Sequence, residues 1–253
     1  MNLLNCGIEF SNENKDKYSL NEPFPHIVID NFLTEGVVSQ ALAEFPRPDE
    51  IEWTKYNNPL EIKLLNSDNS KFGSYTNKII EFLNSEFFLN FLENLTGFKN
   101  IIADEQLIGG GLHQIQRGGK LDIHADFNVH YKTKNIRCLN LILFLNKNWD
   151  ENYGGHLELW DRQMSACQRK VLPIFNRAVI FSTDETSYHG HPESLLCPED
   201  RTRKSIALYY YIENADNKQG RSTKYMKRPS DPENKQLDEF RELRSIPKDK
   251  RKA

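Results

Sequence analysis

The feature that most constrains the fold of this chain is a series of short apolar runs between Ile101 and Glu213. These runs are rich in β-branched and aromatic residues, and the segments between them are rich in Gly, Asn and Asp. Closely spaced strands of this kind are typical of a β-sandwich or barrel, because alternating β–α units would require a helical pattern after each strand. The sequence therefore predicts a β-sandwich or barrel core in this part of the chain.

The N-terminal part of the chain has a different sequence pattern, with helical apolar spacing and a long polar segment. Residues 22–33 predict a short strand that enters a turn, and apolar spacing predicts helices over 34–45, 75–84 and 86–95. Residues 46–74 are polar and rich in turn formers, and they predict a long loop. Such a loop is either a lid or substrate groove over a site, or a surface excursion. The sequence thus predicts N-terminal helices that support the core.

The C-terminal segment is strongly charged and has few large apolar residues. It is either a solvated tail or a segment that docks on the core through Tyr225 and Met226. The length suits one domain with appendages. We therefore expect a single domain over 1–253, divided into helical and loop support (1–100), a β core (101–213) and a charged C-terminal segment (214–253).

Composition excludes several classes of function. The formal net charge of −3 argues against nucleic acid or an anionic membrane as the main partner, since both require a basic excess. No apolar run approaches the length of a membrane span, and the N-terminus lacks the pattern of a secretion signal. The four cysteines are scattered, which argues against a disulfide framework or a thiolate zinc cluster. A reduced, cytoplasmic protein fits these features.

The sharpest local motif is the H-x-D triplet formed by His124 and Asp126 in the segment KLDIHADFN. Residues two apart in a strand share a face, so the imidazole and the carboxylate project side by side. A third metal ligand must come from elsewhere, and His189 or His191 in SYHGHP can supply it. Two histidines and one carboxylate on one face of a metal form the facial triad of non-haem Fe(II) oxygenases.

A second pattern lies at the start of the apolar strand IALYYY. Alternation places Arg203 and Ser205 on one face of this strand and Lys204 on the other. A guanidinium beside a hydroxyl is a good receptor for a carboxylate. The alternative is an arginine at a strand edge, paired with a nearby carboxylate such as Asp200.

In the order H-x-D, long gap, His and R-x-S, the chain resembles the 2-oxoglutarate- and Fe(II)-dependent oxygenases, specifically their prolyl 4-hydroxylase-like branch. The resemblance extends to PFPHIVIDNFL at 23–33, CLNLILFLNKNW at 138–149, GGHLELW at 154–160 and FNRAVIF at 175–181. As an ordered series it covers residues 22–213, which is more specific than any single motif.

The resemblance implies an α+β fold, with a double-stranded β-helix (jelly roll) core and N-terminal supporting helices. It implies that Fe(II) is held by His124, Asp126 and a distal histidine. The branch places its iron ligand first in the segment after the preceding strand, which favours His189 over His191. It also implies the co-substrate contacts, namely Arg203 on the distal carboxylate of 2-oxoglutarate with Ser205 assisting, and Asn140 and Tyr209 lining the same pocket.

The implied activity is hydroxylation of a C–H bond, with release of succinate and CO2. The implied cofactors are Fe(II) and the co-substrate 2-oxoglutarate, with ascorbate as a further candidate. The substrate is a small molecule or a peptide or protein, either a prolyl residue or a free amino acid. The alternatives are a cupin-like zinc hydrolase or isomerase, which has no need for a dicarboxylate receptor such as Arg203, and a non-catalytic barrel that serves as a binding module.

Overall fold

The short apolar runs form strands of one continuous antiparallel sheet in the computed structural model, which describes residues 2–247. The strands are β1 (His26–Ile29), β2 (Thr54–Asn58), β3 (Glu61–Asn66), β4 (Ile102–Ala103), β5 (Gly111–Ile115), β6 (Lys120–Ala125), β7 (Ile136–Phe144), β8 (Leu157–Trp160), β9 (Cys167–Val171), β10 (Arg177–Ser182), β11 (His189–His191), β12 (Arg203–Ile212) and β13 (Lys224–Tyr225). The α-helices are α1 (Glu9–Glu13), α2 (Lys15–Leu20), α3 (Glu35–Ala43), α4 (Ser74–Leu83), α5 (Glu86–Thr96) and α6 (Lys235–Ser245).

The sheet curls into a nearly closed barrel. Its strand order is β1-β10-β7-β12-β5-β3-β6-β11-β8-β9, with β13 on β6, β2 on β3 and β4 on β12. Closure in this manner removes most of the free strand edges that an open sheet would expose. The prediction of an α+β fold with a β-barrel core and N-terminal helices is therefore confirmed.

The alternation of side chains along β7 shows how the barrel divides its two faces. Leu139, Leu141 and Leu143 are fully buried in the main apolar core, on the face that packs against the helices. Asn140 and Ile142 point the other way and line a cavity inside the barrel. Because successive side chains of a strand alternate between faces, one apolar strand serves both the packing core and the interior cavity.

The predicted N-terminal helices are confirmed as α3, α4 and α5, with ends that differ by at most two residues. Helix α5 begins after Ser85, whose hydroxyl accepts a hydrogen bond from the Phe88 backbone N–H, and it ends at Gly97 in the left-handed conformation. The Tyr210 hydroxyl on β12 donates to the Leu83 carbonyl oxygen at 3.0 Å, which ties α4 to the sheet. In the described part of the chain, none of the helices is both long and apolar enough to cross a membrane.

The prediction of a long loop over 46–74 is wrong, because this stretch contains the hairpin of β2 and β3. Strand β2 is TKYNN, a polar and mostly exposed segment with no apolar alternation to reveal it. Strand β3 pairs with β5 through Leu64–Asn66 and with β6 through Glu61 and Ile62. The hairpin therefore fills the gap between β5 and β6 and completes the barrel wall.

The C-terminal segment is docked on the barrel over its described part, so the solvated-tail alternative does not hold there. Tyr225 of β13 pairs with His124 of β6 and is buried. Arg241 of α6 is also buried and lies within ion-pair distance of Asp122, 3.4 Å away on β6. The last residues of this segment, 248–253, lie outside the described residues.

The sheet also extends beyond the core boundaries of 101–213 that the sequence predicted. Strands β1, β2 and β3 come from the first 100 residues, and β13 comes from the C-terminal segment. One edge of β6 is covered by β3 and β13 together, while β11 covers the other edge. The strand that carries the H-x-D motif thus needs segments from both flanks to satisfy its backbone hydrogen bonds.

Candidate active site

Three of the predicted metal ligands meet inside the barrel. The potential ligand atoms of His124, Asp126 and His189 all lie within 4.8 Å of one another. Nε2 of His124 is 3.5 Å from Oδ1 of Asp126, and Nε2 of His189 is 3.4 Å from Oδ2 of the same carboxylate. His189 reaches this point because β11 pairs with β6 and places it directly opposite His124.

Backbone carbonyls fix the orientation of both imidazoles. Nδ1 of His124 lies 2.8 Å from the carbonyl oxygen of Asp122, and Nδ1 of His189 lies 2.9 Å from that of Ser187. A proton on Nδ1 leaves the lone pair of Nε2 free for a metal. Burial lowers the pKa of His189 to about 4, so its ring is neutral at pH 7 and remains a ligand.

The carboxylate of Asp126 is braced by two donors. The Asn140 amide donates to Oδ2 at 2.6 Å, and Nη1 of Arg137 lies 2.9 Å from the same oxygen. The Arg137 guanidinium packs between the rings of Phe127 and Tyr209, 3.8 and 3.6 Å from their centroids. Burial alone would raise the pKa of Asp126, but Arg137 and the two histidines outweigh it and hold this pKa well below its usual range.

A cavity inside the barrel joins this triad to the residues predicted for co-substrate binding. Arg203, Ser205, Asn140 and Tyr209 all line it, as the parity of β7 and β12 requires. The polar groups of two of these side chains are engaged within the protein: the Asn140 amide donates to Asp126, and the Tyr209 hydroxyl donates to the Gly109 carbonyl at 2.9 Å. Arg203 engages only its Nε, which donates to the Gly155 carbonyl. Arg203 and Ser205 therefore remain the groups best placed to meet a ligand.

Arg203 is a buried cation without a counter-charge among the described residues. Its Nε donates to the Gly155 carbonyl at 2.7 Å, and its guanidinium carbon lies 4.8 Å from the centroid of the Phe144 ring. No carboxylate in residues 2–247 lies within ion-pair distance, so the alternative pairing with Asp200 is not observed. Burial lowers the pKa of Arg203 to about 9, which leaves it charged at pH 7. Because an unpaired buried charge is costly, this site favours an anionic ligand.

A glycine permits the close approach of Arg203 to the barrel wall. Gly155 has a φ of +73°, and a Cβ at this position would lie 2.9 Å from Cδ of Arg203 and 2.6 Å from Leu195. A larger residue would displace the arginine from the carbonyl that holds it. The segment GGHLELW thus serves the geometry of the site.

His191 lines the same cavity but is not among the three residues whose potential ligand atoms cluster around Asp126. It is 3% exposed, and neither ring nitrogen has a hydrogen-bond partner among the described residues. Burial, together with the charges of Arg203 and Lys63, holds the pKa of His191 well below its usual range. Of the two histidines that the sequence left open, the structure brings His189 to Asp126 and leaves His191 unpartnered.

Sequence reasoning missed three residues of the site. Arg137 was detectable as the one charged residue in the apolar strand IRCLNLILF. Lys63 lies in the stretch that the sequence predicts as a loop and possible substrate groove, and its place in the cavity wall follows only from its position on β3. Arg221, from the C-terminal segment, donates to the backbone carbonyl of Asp126 at 2.6 Å, and only the fold brings it there.

Comparison with known sequences agrees with this geometry. Residues 110–211 match the 2OG-Fe(II) oxygenase superfamily. A stretch of 79 residues is 32% identical to prolyl 3-hydroxylase OGFOD1 from Mus musculus. That match covers 30% of this chain and 14% of the mouse protein, so the two are related over a small part of the longer chain.

Solved structures show the same fold. A prolyl-4-hydroxylase from Pseudomonas putida superposes with a TM-score of 0.59 and 14% identity, over 82% of this chain and 100% of that one. A prolyl hydroxylase from Trichoplax adhaerens, solved with a peptide of the hypoxia inducible factor oxygen degradation domain, gives a TM-score of 0.54 and 18% identity, over 81% and 90% of the two chains. Over residues 110–211 the chain is therefore similar to the 2OG-Fe(II) oxygenase superfamily, and its fold is the double-stranded β-helix of the prolyl 4-hydroxylases.

Proposed function

We propose that this chain is an Fe(II)- and 2-oxoglutarate-dependent dioxygenase that hydroxylates a C–H bond. One observation carries the proposal: a buried cavity contains both a His-Asp-His cluster and Arg203, a cation without a carboxylate partner among the described residues. A site for 2-oxoglutarate requires two features. A metal must chelate the 2-oxo acid end, and a cation must bind the distal carboxylate.

The donor set fits the proposed metal. His124, Asp126 and His189 would hold Fe(II) through two imidazole nitrogens and one carboxylate oxygen on one face, which leaves the opposite positions open. When bound, Fe(II) would activate O2, which is the oxidant: one oxygen atom would enter the C–H bond and the other would enter succinate, as 2-oxoglutarate loses CO2 and supplies two electrons.

The protein contributes positioning and exclusion of water. Arg203 and Ser205 orient the distal carboxylate from β12, while Asn140 and Arg137 keep Asp126 ionised and fixed. The Tyr209 ring lines the cavity and packs on Arg137. The burial of these groups keeps bulk solvent from the reacting end of the cavity.

The two other classes of function explain fewer features. A cupin-like zinc hydrolase or isomerase could use the same three ligands, but it has no role for an unpaired cation such as Arg203. A non-catalytic binding barrel has no need for two imidazoles whose Nε2 atoms are both aimed at one carboxylate. The oxygenase hypothesis accounts for both the His-Asp-His cluster and the unpaired cation Arg203.

We propose a prolyl residue in a peptide or protein as the substrate, with a free amino acid as the alternative. The support is the names of the relatives, since the mouse protein is a prolyl 3-hydroxylase and the two solved structures are prolyl hydroxylases. Ascorbate is proposed as a reductant that keeps the metal ferrous. The whole chain, 1–253, is proposed to act as one oxygenase domain, because segments from both flanks complete the barrel.

We further propose a reducing, cytoplasmic environment. The four cysteines, two of them buried, are all free thiols, and an Fe(II) centre requires reducing conditions. The net charge of −3 supports a substrate other than nucleic acid or a membrane surface.

Succinate formation tests the proposal most simply. Purified protein is supplied with Fe(II), 2-oxoglutarate, ascorbate and air, and succinate is quantified with and without peptide and metabolite pools. Mass spectrometry then identifies any product that has gained one oxygen atom.

We expect succinate from the wild type and none from His124→Ala. His156→Ala, which removes a half-buried imidazole outside the cavity, is the matched control and should retain turnover. Succinate production by His124→Ala equal to that of the wild type, or its absence from all three proteins, would contradict the proposal.

A further inference from the structure

The cavity contains a second polar group that the proposed chemistry does not use. His191 is 3% exposed and lines the cavity, and both its ring nitrogens lack a hydrogen-bond partner within residues 2–247. Buried polar side chains are paired in the great majority of cases, because an unmet donor or acceptor in the interior costs free energy. Two unmet nitrogens on one buried ring therefore indicate a ligand that meets at least one of them.

The fold brings this ring to the Arg203 end of the cavity. Strand β11 pairs with β8 through Gly190 and Glu158. Because the two strands are antiparallel, His191 lies beside the first residue of β8. Arg203 reaches the same point from β12, because its Nε is bound to the carbonyl of Gly155, two residues before β8 begins. Both side chains thus approach the start of β8 from different strands.

The remaining neighbours offer His191 no counterpart within the barrel. The apolar side chains of Leu157 and Leu121 line the cavity beside it, and Leu121 is the residue on β6 with which His191 is paired. Lys63 also lines the cavity and, like Arg203, can only donate hydrogen bonds. A ligand group at this end must therefore accept hydrogen bonds from several directions.

We infer that His191 binds the distal carboxylate of 2-oxoglutarate together with Arg203, and so helps to select this co-substrate over monocarboxylate 2-oxo acids. A carboxylate can accept about four hydrogen bonds on its two oxygens. The planar guanidinium of Arg203 donates two parallel hydrogen bonds to such a group, so further acceptor sites remain. One N–H of the imidazole donates to a remaining site. The inference rests on the proposed function, because it assumes that 2-oxoglutarate occupies this cavity.

Binding affinity, measured without turnover, tests the inference. The protein is loaded with Mn(II) in place of Fe(II), and calorimetry gives the Kd of 2-oxoglutarate and of 2-oxopentanoate, which has a methyl group in place of the distal carboxylate. His191→Leu should weaken 2-oxoglutarate binding by about tenfold or more, the usual effect of losing a hydrogen bond to a charged group. The Kd of 2-oxopentanoate should stay unchanged, and His191→Gln, which keeps an N–H donor, should recover part of the loss.

Two controls separate the outcomes. His156→Val removes another imidazole close to Gly155 but outside the cavity, and it should leave both Kd values unchanged. Thermal unfolding shows whether each variant is folded, and His191→Met replaces His191→Leu if the leucine variant is not. An equal loss for the two ligands, or no loss for 2-oxoglutarate, overturns the inference alone. A wild type that binds Mn(II) but not 2-oxoglutarate overturns the proposed function as well.

Discussion

The two ends of the barrel cavity treat charge in opposite ways. At the triad end, Asp126 is met by Arg137 and Asn140, and each imidazole is held by a backbone carbonyl. At the other end, Arg203 has one neutral carbonyl partner and His191 has none among the described residues.

The difference shows how the protein divides its tasks. The triad end is organised before any ligand arrives, because a metal site needs fixed ligand geometry and a carboxylate that stays ionised. The Arg203 end keeps unmet polar groups, which a bound carboxylate would satisfy. Removal of a charge should therefore lower the free energy of unfolding at the triad end and should not lower it at the Arg203 end.

The largest effect is expected from Asp126→Ala. This change removes a proposed metal ligand and leaves the buried Arg137 without its carboxylate. We expect succinate formation to fall below detection and the free energy of unfolding to fall by about 3 kcal/mol, as for other buried pairs that lose one member. Succinate assays and chemical denaturation measure the two quantities. Unchanged stability would show that Arg137 does not depend on this carboxylate.

Arg203→Met should weaken 2-oxoglutarate binding by about 100-fold, because the variant loses the only buried cation proposed to hold the distal carboxylate. The unfolding free energy of the ligand-free protein should not fall, since the substitution removes a buried charge that has no counter-charge in the described chain. Calorimetry and denaturation without ligand test both statements. A loss of stability as large as that of Asp126→Ala would show that Arg203, like Asp126, is stabilised by protein groups, and would contradict the proposed difference between the two ends.

Asn140→Leu should reduce metal affinity by about tenfold, the lower range for groups that orient a ligand. The substitution removes the 2.6 Å hydrogen bond to Asp126 and the long one from Arg137 to the amide oxygen, but it keeps the side-chain volume and the contact between Arg137 and Asp126. Titration with Mn(II) gives the affinity, and the Kd of 2-oxoglutarate at saturating metal is the internal control. A change in that Kd alone would instead support the direct co-substrate contact predicted from the sequence.

The smallest effect is expected from Arg221→Met, which removes hydrogen bonds from the C-terminal segment to the carbonyls of Ala125 and Asp126. These bonds support the backbone of the triad and leave its ligand atoms untouched. We expect a loss of about 1 kcal/mol in unfolding free energy, typical of such bonds, and less than a tenfold loss in metal affinity. A complete loss of metal binding would show that the C-terminal segment is part of the site itself.

The features that could be predicted from the sequence are those that follow from the two-residue repeat of side chains along a strand. The spacing of His124 and Asp126, and that of Arg203 and Ser205, follows from the two-residue repeat of a strand, so shared faces could be predicted without the fold. The apolar core strands were found for the same reason.

What the sequence did not predict depended on long-range pairing. Strand β2 is polar and exposed, so the hairpin at 54–66 had no apolar pattern to reveal it. Arg137 lies near Asp126 only because β7 and β6 lie on the same barrel, and the unmet nitrogens of His191 follow from three strands that meet around it. Such relations are set by topology, which a periodic pattern does not encode.

The most direct measurement is an anaerobic titration of the Fe(II)-loaded protein with 2-oxoglutarate, followed by visible absorption. A chelate of Fe(II) and a 2-oxo acid absorbs in the visible range, so the account predicts a weak charge-transfer band that saturates with one equivalent of 2-oxoglutarate. The band should be absent in Asp126→Ala and should require a much higher concentration of 2-oxoglutarate in Arg203→Met. A wild-type protein that binds Fe(II) but shows no band at any concentration of 2-oxoglutarate, and forms no succinate in air, would contradict the account.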